Sequence, residues 1–482
     1  MRAAQLPRII QGGMGAAVSD WRLARAVAAC GQLGVVSGTG IDTILVRRLQ
    51  DGDPDGAVRR AMAHFPLQAA AEAVLRKYFR PDGRADGRKY DLLPMYRLKN
   101  TPERDRITML ASFVEVWLAK EGHTMPIGIN LLTKIQLPNL ALLYGAMLAG
   151  VDVVIMGAGI PREIPAALDA LVEHRPARLT ADIEADESGQ AFIELDPAVH
   201  WAGPPPALTR PIFLPIVASV TLATMFVRKT AGVDGIVIEG PTAGGHNAPP
   251  RGDLQFNERG EPLYGKRDEV DLEKIKALGA PFWLAGGTAS PEGLQHALAA
   301  GAHGIQVGTL FAFCDDSGLA EPLRRSVLNS VARSTADVFT DPLASPTGYP
   351  FKVVRWDEDP HPGAARKRIC DLGYLRTMYR KDDGHVGFRC PSEPVATYLA
   401  KGGQESETVG RQCLCNALMA NIGLGQAREE IGAEPPILTS GDDLKRIASV
   451  LDVRGYRAAD VISYLLGTAD AERELAADTT TA

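Results

Sequence analysis

The stretch GIVIEGPTAGGHN, Gly235 to Asn247, decides the fold. An apolar strand runs out into a glycine-rich turn that carries one histidine, His246. FWLAGG (Phe282–Gly287) and GIQVGT (Gly304–Thr309) repeat the design, each a buried-type strand ending in glycine, with a helix pattern between them. Parallel barrels build their sites from such strand ends, and glycine turns after the last two strands are the usual seat of a phosphate.

Working outward, eight short aliphatic runs read as strands: Ile9–Gly13, Leu33–Gly38, Ile127–Leu132, Val151–Met156, Ile212–Ser219, Gly235–Glu239, Phe282–Gly287 and Gly304–Thr309. Near-continuous hydrophobicity, rather than alternation, suits strands buried on both faces. Helix patterns separate them at Asp20–Cys30 (with a Ser19 cap), Leu137–Leu148, Ile160–His174, Thr221–Thr230, Leu272–Leu278 and Pro291–Ala299. The expected fold is an α/β (β/α)₈ TIM barrel over residues 1–335, with a helical insertion at about 42–121 after the second strand. Residues 336–482 form a C-terminal extension and lid, with a frayed tail after Leu466. A polar, Pro-rich stretch from Pro176 to Pro211 leaves room for a small hairpin.

With 482 residues, 45% hydrophobic and 23% charged, the chain has an ordinary globular composition. A net charge of −6 without a Lys/Arg-rich run argues against a nucleic-acid partner. No apolar run is long enough to span a membrane, and the N-terminus lacks a signal-peptide core, so a cytoplasmic protein is expected. Of the six cysteines, Cys370, Cys390, Cys413 and Cys415 cluster late in the chain. Their spacing matches no familiar zinc or iron–sulfur pattern. In a strand, Cys413 and Cys415 would point to opposite faces. No metal is expected.

IIQGGMGAAVS (Ile9–Ser19), GINLL (Gly128–Leu132), IVIEGPTAGGHN (Ile236–Asn247), LAGGTAS (Leu284–Ser290) and GIQVGTLF (Gly304–Phe311) occur in the order found in nitronate monooxygenases. The chain resembles that family, formerly 2-nitropropane dioxygenases, over roughly residues 5–315 in pieces. The family also contains FMN-dependent enoyl reductases. The resemblance implies an FMN site: Gly286, Gly287, Gly308 and Thr309 at the phosphate, Met14 and Gly15 under the ring, and Asn130, Gly244, Gln306 and Val307 as further cofactor contacts. Glu239 stands where the family usually has glutamine, and a carboxylate donates no hydrogen bond unless protonated. Thr242 stands where an acidic residue is more usual.

His246 is the catalytic candidate, able as a neutral imidazole to take a proton from the carbon alpha to a nitro group or to bind a nitronate oxygen. His296 and His303 read as structural. Asn247 and Arg251 lie just beyond His246 and could contact an anionic substrate, with a loop charge the favoured reading of Arg251. Tyr349 and Lys352, in the lid-like ASPTGYPFK (Ala344–Lys352), are substrate or nicotinamide candidates. No cysteine lies between Cys30 and Cys314, so the IMP-dehydrogenase type of barrel, which needs a thiol after its sixth strand, is set aside.

The expected activity is FMN-dependent oxidation of alkyl nitronates by O₂ to a carbonyl compound and nitrite. The expected partners are a small-molecule substrate and O₂, with NAD(P)H and a second copy of the chain, in a homodimer, as further candidates. An NAD(P)H-dependent enoyl reductase on the same scaffold and a non-catalytic flavin sensor are the alternatives.

Overall fold

The computed structural model describes residues 2–184, 186, 190–359 and 366–468. Eight parallel strands make up one sheet: β1 (Ile9–Gln11), β2 (Gly34–Ser37), β3 (Ile127–Leu132), β4 (Val153–Gly157), β5 (Ile212–Val217), β6 (Ile236–Glu239), β7 (Phe282–Ala285) and β8 (Gly304–Val307). The strand order is β1-β8-β7-β6-β5-β4-β3-β2. A parallel bridge between Ile10 and Leu33 closes the ring. There the Gln11 N–H donates to the Leu33 carbonyl at 3.0 Å and the Leu33 N–H to the Ile9 carbonyl at 3.1 Å. The fold is therefore a TIM barrel, with every expected strand present.

The strands are largely apolar because successive residues bury on opposite faces. Ile10, Val35, Val153, Leu214, Val237 and Trp283 pack together inside the barrel. Ile9, Ile236, Phe282 and Ile305 meet the outer helices instead. The Trp283 indole N–H donates to the Pro7 carbonyl at 3.2 Å, so even the largest interior side chain is satisfied.

The helices fall close to their expected places, and Pro291–Ala299 opens as read, with the Ser290 hydroxyl accepting from the Gly293 N–H at 3.0 Å. The first helix, Trp21–Ala29, departs in one respect. Its cap is Asp20, whose carboxylate accepts from the Arg22 and Leu23 N–H groups. The Ser19 hydroxyl instead donates to the Gly12 carbonyl and accepts from the Met14 N–H, both at 2.9 Å. A charged acceptor suits the helix terminus better, and Ser19 is left to hold the turn that follows β1.

Part of the expected insertion belongs to the barrel. Its helix Pro102–Lys120 packs against Trp21–Ala29 and Asn139–Leu148 in the outer ring. The Pro176–Pro211 stretch does hold a hairpin, Ala177–Thr180 with Phe192–Leu195.

The C-terminal third wraps back onto the barrel. An antiparallel pair (Asp337–Asp341 with Phe351–Arg355) and a hairpin (Thr377–Arg380 with Val386–Arg389) precede the helices Leu414–Asn421 and Ala458–Leu466. The last helix seats on Trp21–Ala29 and Pro291–Ala299, and the nearby Tyr456 hydroxyl donates to the Leu310 carbonyl at 2.7 Å. Gly467, in a left-handed conformation, ends it, and the tail from 469 lies outside the described residues. Among the described residues no helix is long and apolar enough to cross a membrane.

Candidate active site

One large cavity, about 240 Å³, opens at the C-terminal ends of the strands. Met14 and Gly15 after β1, Asn130 in β3, Glu239 at the end of β6, Gly244 and His246 beyond it, Gly286 after β7, and Gln306, Val307, Gly308 and Thr309 at β8 all line it. Of the sequence candidates for the cofactor, only Gly287 stands outside the lining, exposed beside it.

The strand-end wall is made largely of bare backbone. Gly286 holds φ at +89°, and a Cβ there would lie 2.9 Å from the Ala243 nitrogen and 3.0 Å from the Thr242 hydroxyl. At Gly13 a Cβ would sit 2.3 Å from Asn130 Cβ. Glycine is thus required at both positions by the close approach of neighbouring protein atoms, and these turns present no side chain of their own to the cavity. The Thr309 hydroxyl accepts from the Gly441 N–H at 3.0 Å, leaving its own proton to donate. Gln306 lines the cavity with its Oε1 lacking any partner, a buried acceptor suited to an N–H of a bound ring. Ala158, also in the lining, holds a left-handed φ of 51°, a strained position of the kind found at sites.

Three titratable groups interact here, Glu239 and His246 in the cavity lining and Lys134 outside it. Burial pushes the Glu239 carboxyl up to about 7, against the lowering pull of Lys134. Burial likewise pushes the Lys134 ammonium down to about 7, against the raising pull of Glu239. Lys134 Nζ has no hydrogen-bond partner and sits 3.2 Å from the centre of the Tyr349 ring. Burial first, and the Lys134 charge second, drive His246 down to about 3, so its imidazole is neutral throughout the physiological range. His246 Nε2 pairs with the Ser345 hydroxyl at 2.6 Å, which reaches Thr347 Oγ1 at 2.8 Å, and its ring packs edge-on against Phe351.

The second wall comes from the C-terminal third: Tyr374, Leu375, Leu414, Cys415, Met419, and Thr439 to Gly441, among others. Tyr374 is fixed from behind. Its hydroxyl and that of Tyr96 both donate to the buried Asp42 carboxylate, which is paired with Arg104. Burial alone would raise Asp42, yet the guanidinium and the two phenols hold it below its usual range.

Several sequence candidates do not join the site. Lys352 is buried and spends its ammonium on Thr340 Oγ1 at 3.0 Å and Asp442 at 2.7 Å, because its place in the strand pair turns it away from the cavity. It is no substrate contact. Arg251 is bound to Asp268 and to the Ala218 and Arg267 carbonyls, as a loop charge would be. Asn247 is buried and donates to the Ala243 carbonyl at 3.0 Å, bracing the turn. His303 pairs with the Leu6 carbonyl at 2.7 Å, a structural contact. Tyr349 reaches the site only through Lys134. Sequence reading missed Lys134, Ser345 and Tyr374. A lysine two residues past the end of β3 carried a usable signal, since active groups collect after barrel strands.

Residues 209–343 match the family model described as nitronate monooxygenase. The resemblance is thereby shown over that part of the chain. A probable nitronate monooxygenase of Staphylococcus haemolyticus is 31% identical over 125 residues, covering 25% of this chain and 34% of that protein. A nitronate monooxygenase of Pseudomonas aeruginosa is 29% identical over 196 residues, 40% of this chain and 49% of that one. The chain thus spans between a third and a half of these relatives. Among solved structures, FabK from Thermotoga maritima has 19% identity and a TM-score of 0.45, covering 98% of this chain and 95% of that one. Nitroalkane oxidase from Streptomyces ansochromogenes has 16% identity and a TM-score of 0.46, covering 98% and 97%. Likeness at that level says nothing about chemistry.

The nitronate monooxygenase match takes in Glu239, His246 and the glycines after β7 and β8. Met14, Asn130, Lys134 and the whole second wall lie outside it.

Proposed function

We propose that this protein is an FMN-dependent oxidoreductase that oxidises alkyl nitronates with O₂, giving a carbonyl compound and nitrite. The observation that carries the reading is the pairing, in one cavity, of a backbone-bared glycine wall with a neutral His246. Gly286, Gly308 and Thr309 would hold the phosphate, Met14 and Gly15 the underside of the ring, and Asn130, Gln306 and Glu239 its polar edge. When bound, FMN supplies the electron chemistry, taking two electrons from the substrate and delivering them to O₂.

The protein's residues then do the positioning. Glu239 can be protonated near neutrality, and a protonated carboxyl donates a hydrogen bond as the family's glutamine would. His246 is too weak a base at about 3 to take a proton from a neutral nitroalkane efficiently. It is suited to hydrogen-bonding an oxygen of a substrate that arrives already deprotonated, with Ser345 fixing the ring. Lys134 adds a positive charge beside an anionic substrate, whose arrival would raise its proton affinity. The nitronate, rather than its parent nitroalkane, is the substrate these groups fit.

Anaerobic stopped-flow mixing tests this. A short alkyl nitronate should bleach the flavin absorbance without any nicotinamide, and the neutral nitroalkane should do so far more slowly. Fast bleaching by NADH or NADPH with no response to nitronates would replace this reading with an enoyl reductase. Silence from all of them would favour a flavin sensor.

A further inference from the structure

A second, smaller cavity lies behind the C-terminal wall, and four of the six cysteines, Cys370, Cys390, Cys413 and Cys415, line it. Its volume is about 10 Å³, room for about one water. The thiols are packed toward one another rather than around a guest, and all four are free. Cys370 precedes the hairpin 377–389, Cys390 follows it, and Cys413 caps the helix Leu414–Asn421, whose first turn carries Cys415. The Cys-x-Cys pair is therefore not in a strand, and its two sulfurs lie in hydrogen-bond contact.

Hydrogen bonds that involve no sulfur lock the three segments together. Asn416 donates to the Ile369 carbonyl at 3.1 Å, joining the helix to the first segment. Arg368 donates to the Pro391 carbonyl at 2.6 Å and also to that of Thr408, tying the first segment to the other two. The Ser392 hydroxyl donates to the Gln412 carbonyl at 2.7 Å, closing the triangle. None of these bonds has to break for Cys413 and Cys415 to join. The backbone spacing also suits a bond. With Leu414 helical, the Cα atoms on either side of it lie about 5.4 Å apart, inside the range a disulfide tolerates.

The four thiols are not alike. Burial pushes Cys370 up to about 11 and Cys390 up to about 12, so both stay protonated. Cys413 is held below the usual thiol range, chiefly by the hydrogen bond from Cys415, with the Arg366 charge adding to it against burial. A helix N-terminus favours the thiolate there too. Cys415, the donor of that bond, is raised well above the usual range. Access separates the four as well. Cys415 lines both cavities, whereas Cys370, Cys390 and Cys413 line only the small one.

We propose that Cys413 and Cys415 are a redox-active dithiol that exchanges with small disulfides entering through the large cavity. With Cys413 as the thiolate, Cys415 passes its proton across their hydrogen bond and attacks one sulfur of the incoming disulfide, expelling a thiolate. Cys413 then attacks the Cys415 sulfur, breaking the mixed disulfide, and its proton goes to the second departing thiolate. The pair has lost two electrons and one proton, and the incoming disulfide leaves as one thiolate and one thiol. The new bond draws the Cys415 sulfur toward Cys413, so the state of the pair alters the second wall of the large cavity. The site is independent of the nitronate reading, since both cysteines lie outside the matched segment.

Trypsin separates the possible pairings, because Cys413 and Cys415 share the peptide 412–428 while Cys370 and Cys390 fall on 369–376 and 390–401. The full chain, as purified, is treated under native conditions with bis(2-hydroxyethyl) disulfide, then denatured, alkylated with iodoacetamide and mapped by mass spectrometry. Alkylation of 412–428 should fall at least several-fold, with the peptide lighter by two hydrogens than its reduced form, and dithiothreitol should restore it. Cys370 and Cys390 should alkylate as before. Cys415→Ser should leave Cys413 free of any adduct, as entry through the large cavity requires. The wild-type map stands by itself if that variant fails to fold. A peptide 412–428 that still alkylates fully, a cross-link from it to Cys370 or Cys390, or an adduct on Cys413 in Cys415→Ser would each overturn the proposal.

Discussion

The two walls of the large cavity are built on different principles. The strand-end wall is main chain: glycines after β1, β6, β7 and β8, with Gln306 and Asn130 the principal amides. The C-terminal wall is side chain, with Tyr374, Leu414, Cys415 and Met419 brought in by a hairpin and a helix. A backbone wall admits one kind of occupant, because its shape depends on atoms that no substitution removes. A side-chain wall can be rebuilt residue by residue. On the proposed reading, the cofactor falls to the first wall and substrate selection largely to the second.

The largest effect expected from breaking this contrast is at Gly286. Gly286→Val places a β-branched residue at a φ of +89°, against the Ala243 backbone. Flavin content of the purified protein should fall to near zero, with the barrel's circular dichroism kept. Gly287→Val, exposed and outside the lining, should keep most of its flavin despite a φ of +68°. Equal flavin loss in both would mean that general strain, not access to the backbone, governs binding.

His246→Ala should keep the flavin and lower kcat/KM for a preformed nitronate by about 10- to 100-fold, the worth of a hydrogen bond to a charged group. Ser345→Ala should cost less and act in the same direction. Wild-type rates in His246→Ala would return the histidine to a structural role.

pH sharpens the contrast further. Burial holds both Lys134 and Glu239 near 7, so raising the pH through that value strips the lysine charge and the carboxyl proton together. With both protons required, kcat/KM for a preformed nitronate should fall by about a hundredfold per pH unit well above the shared pKa, and by about tenfold if only one of them matters. Glu239→Gln keeps a donor and removes one titration, while Lys134→Met removes the other. A profile that flattens only in Lys134→Met assigns the charge to the lysine. One that flattens in neither variant contradicts both roles.

All eight strands were legible, since each is an apolar run ending at a glycine or polar residue, a pattern imposed by burial on both faces. The cavity-lining positions of Gly286 and Gly308 were legible because they follow strands directly, and that of His246 because it lies in the glycine-rich turn beyond β6. The first cap was misread because Ser19 and Asp20 are adjacent and both can cap. Ser345, Tyr374 and the thiol cavity were illegible because they depend on how the last third folds back. Cys370 and Cys415 share a cavity through hydrogen bonds from Asn416 and Arg368, and no spacing rule encodes that. Lys352 misled for the opposite reason, since its strand pairing turns it toward Asp442.

The smallest expected effect probes how the second wall is braced. Tyr374→Phe removes one donor from the buried Asp42 while leaving Arg104 and Tyr96 in place. It should cost about 1–2 kcal/mol of stability, read as a lowered Tm, with flavin content unchanged. Loss of flavin instead would mean that the two walls are not separable.

The central claim is that the strand-end wall is an FMN site, and the cofactor itself tests it most directly. The purified or FMN-reconstituted chain should release one FMN per chain on denaturation, identified by chromatography. FAD in its place, or a protein that takes up no flavin while folded, would contradict the account.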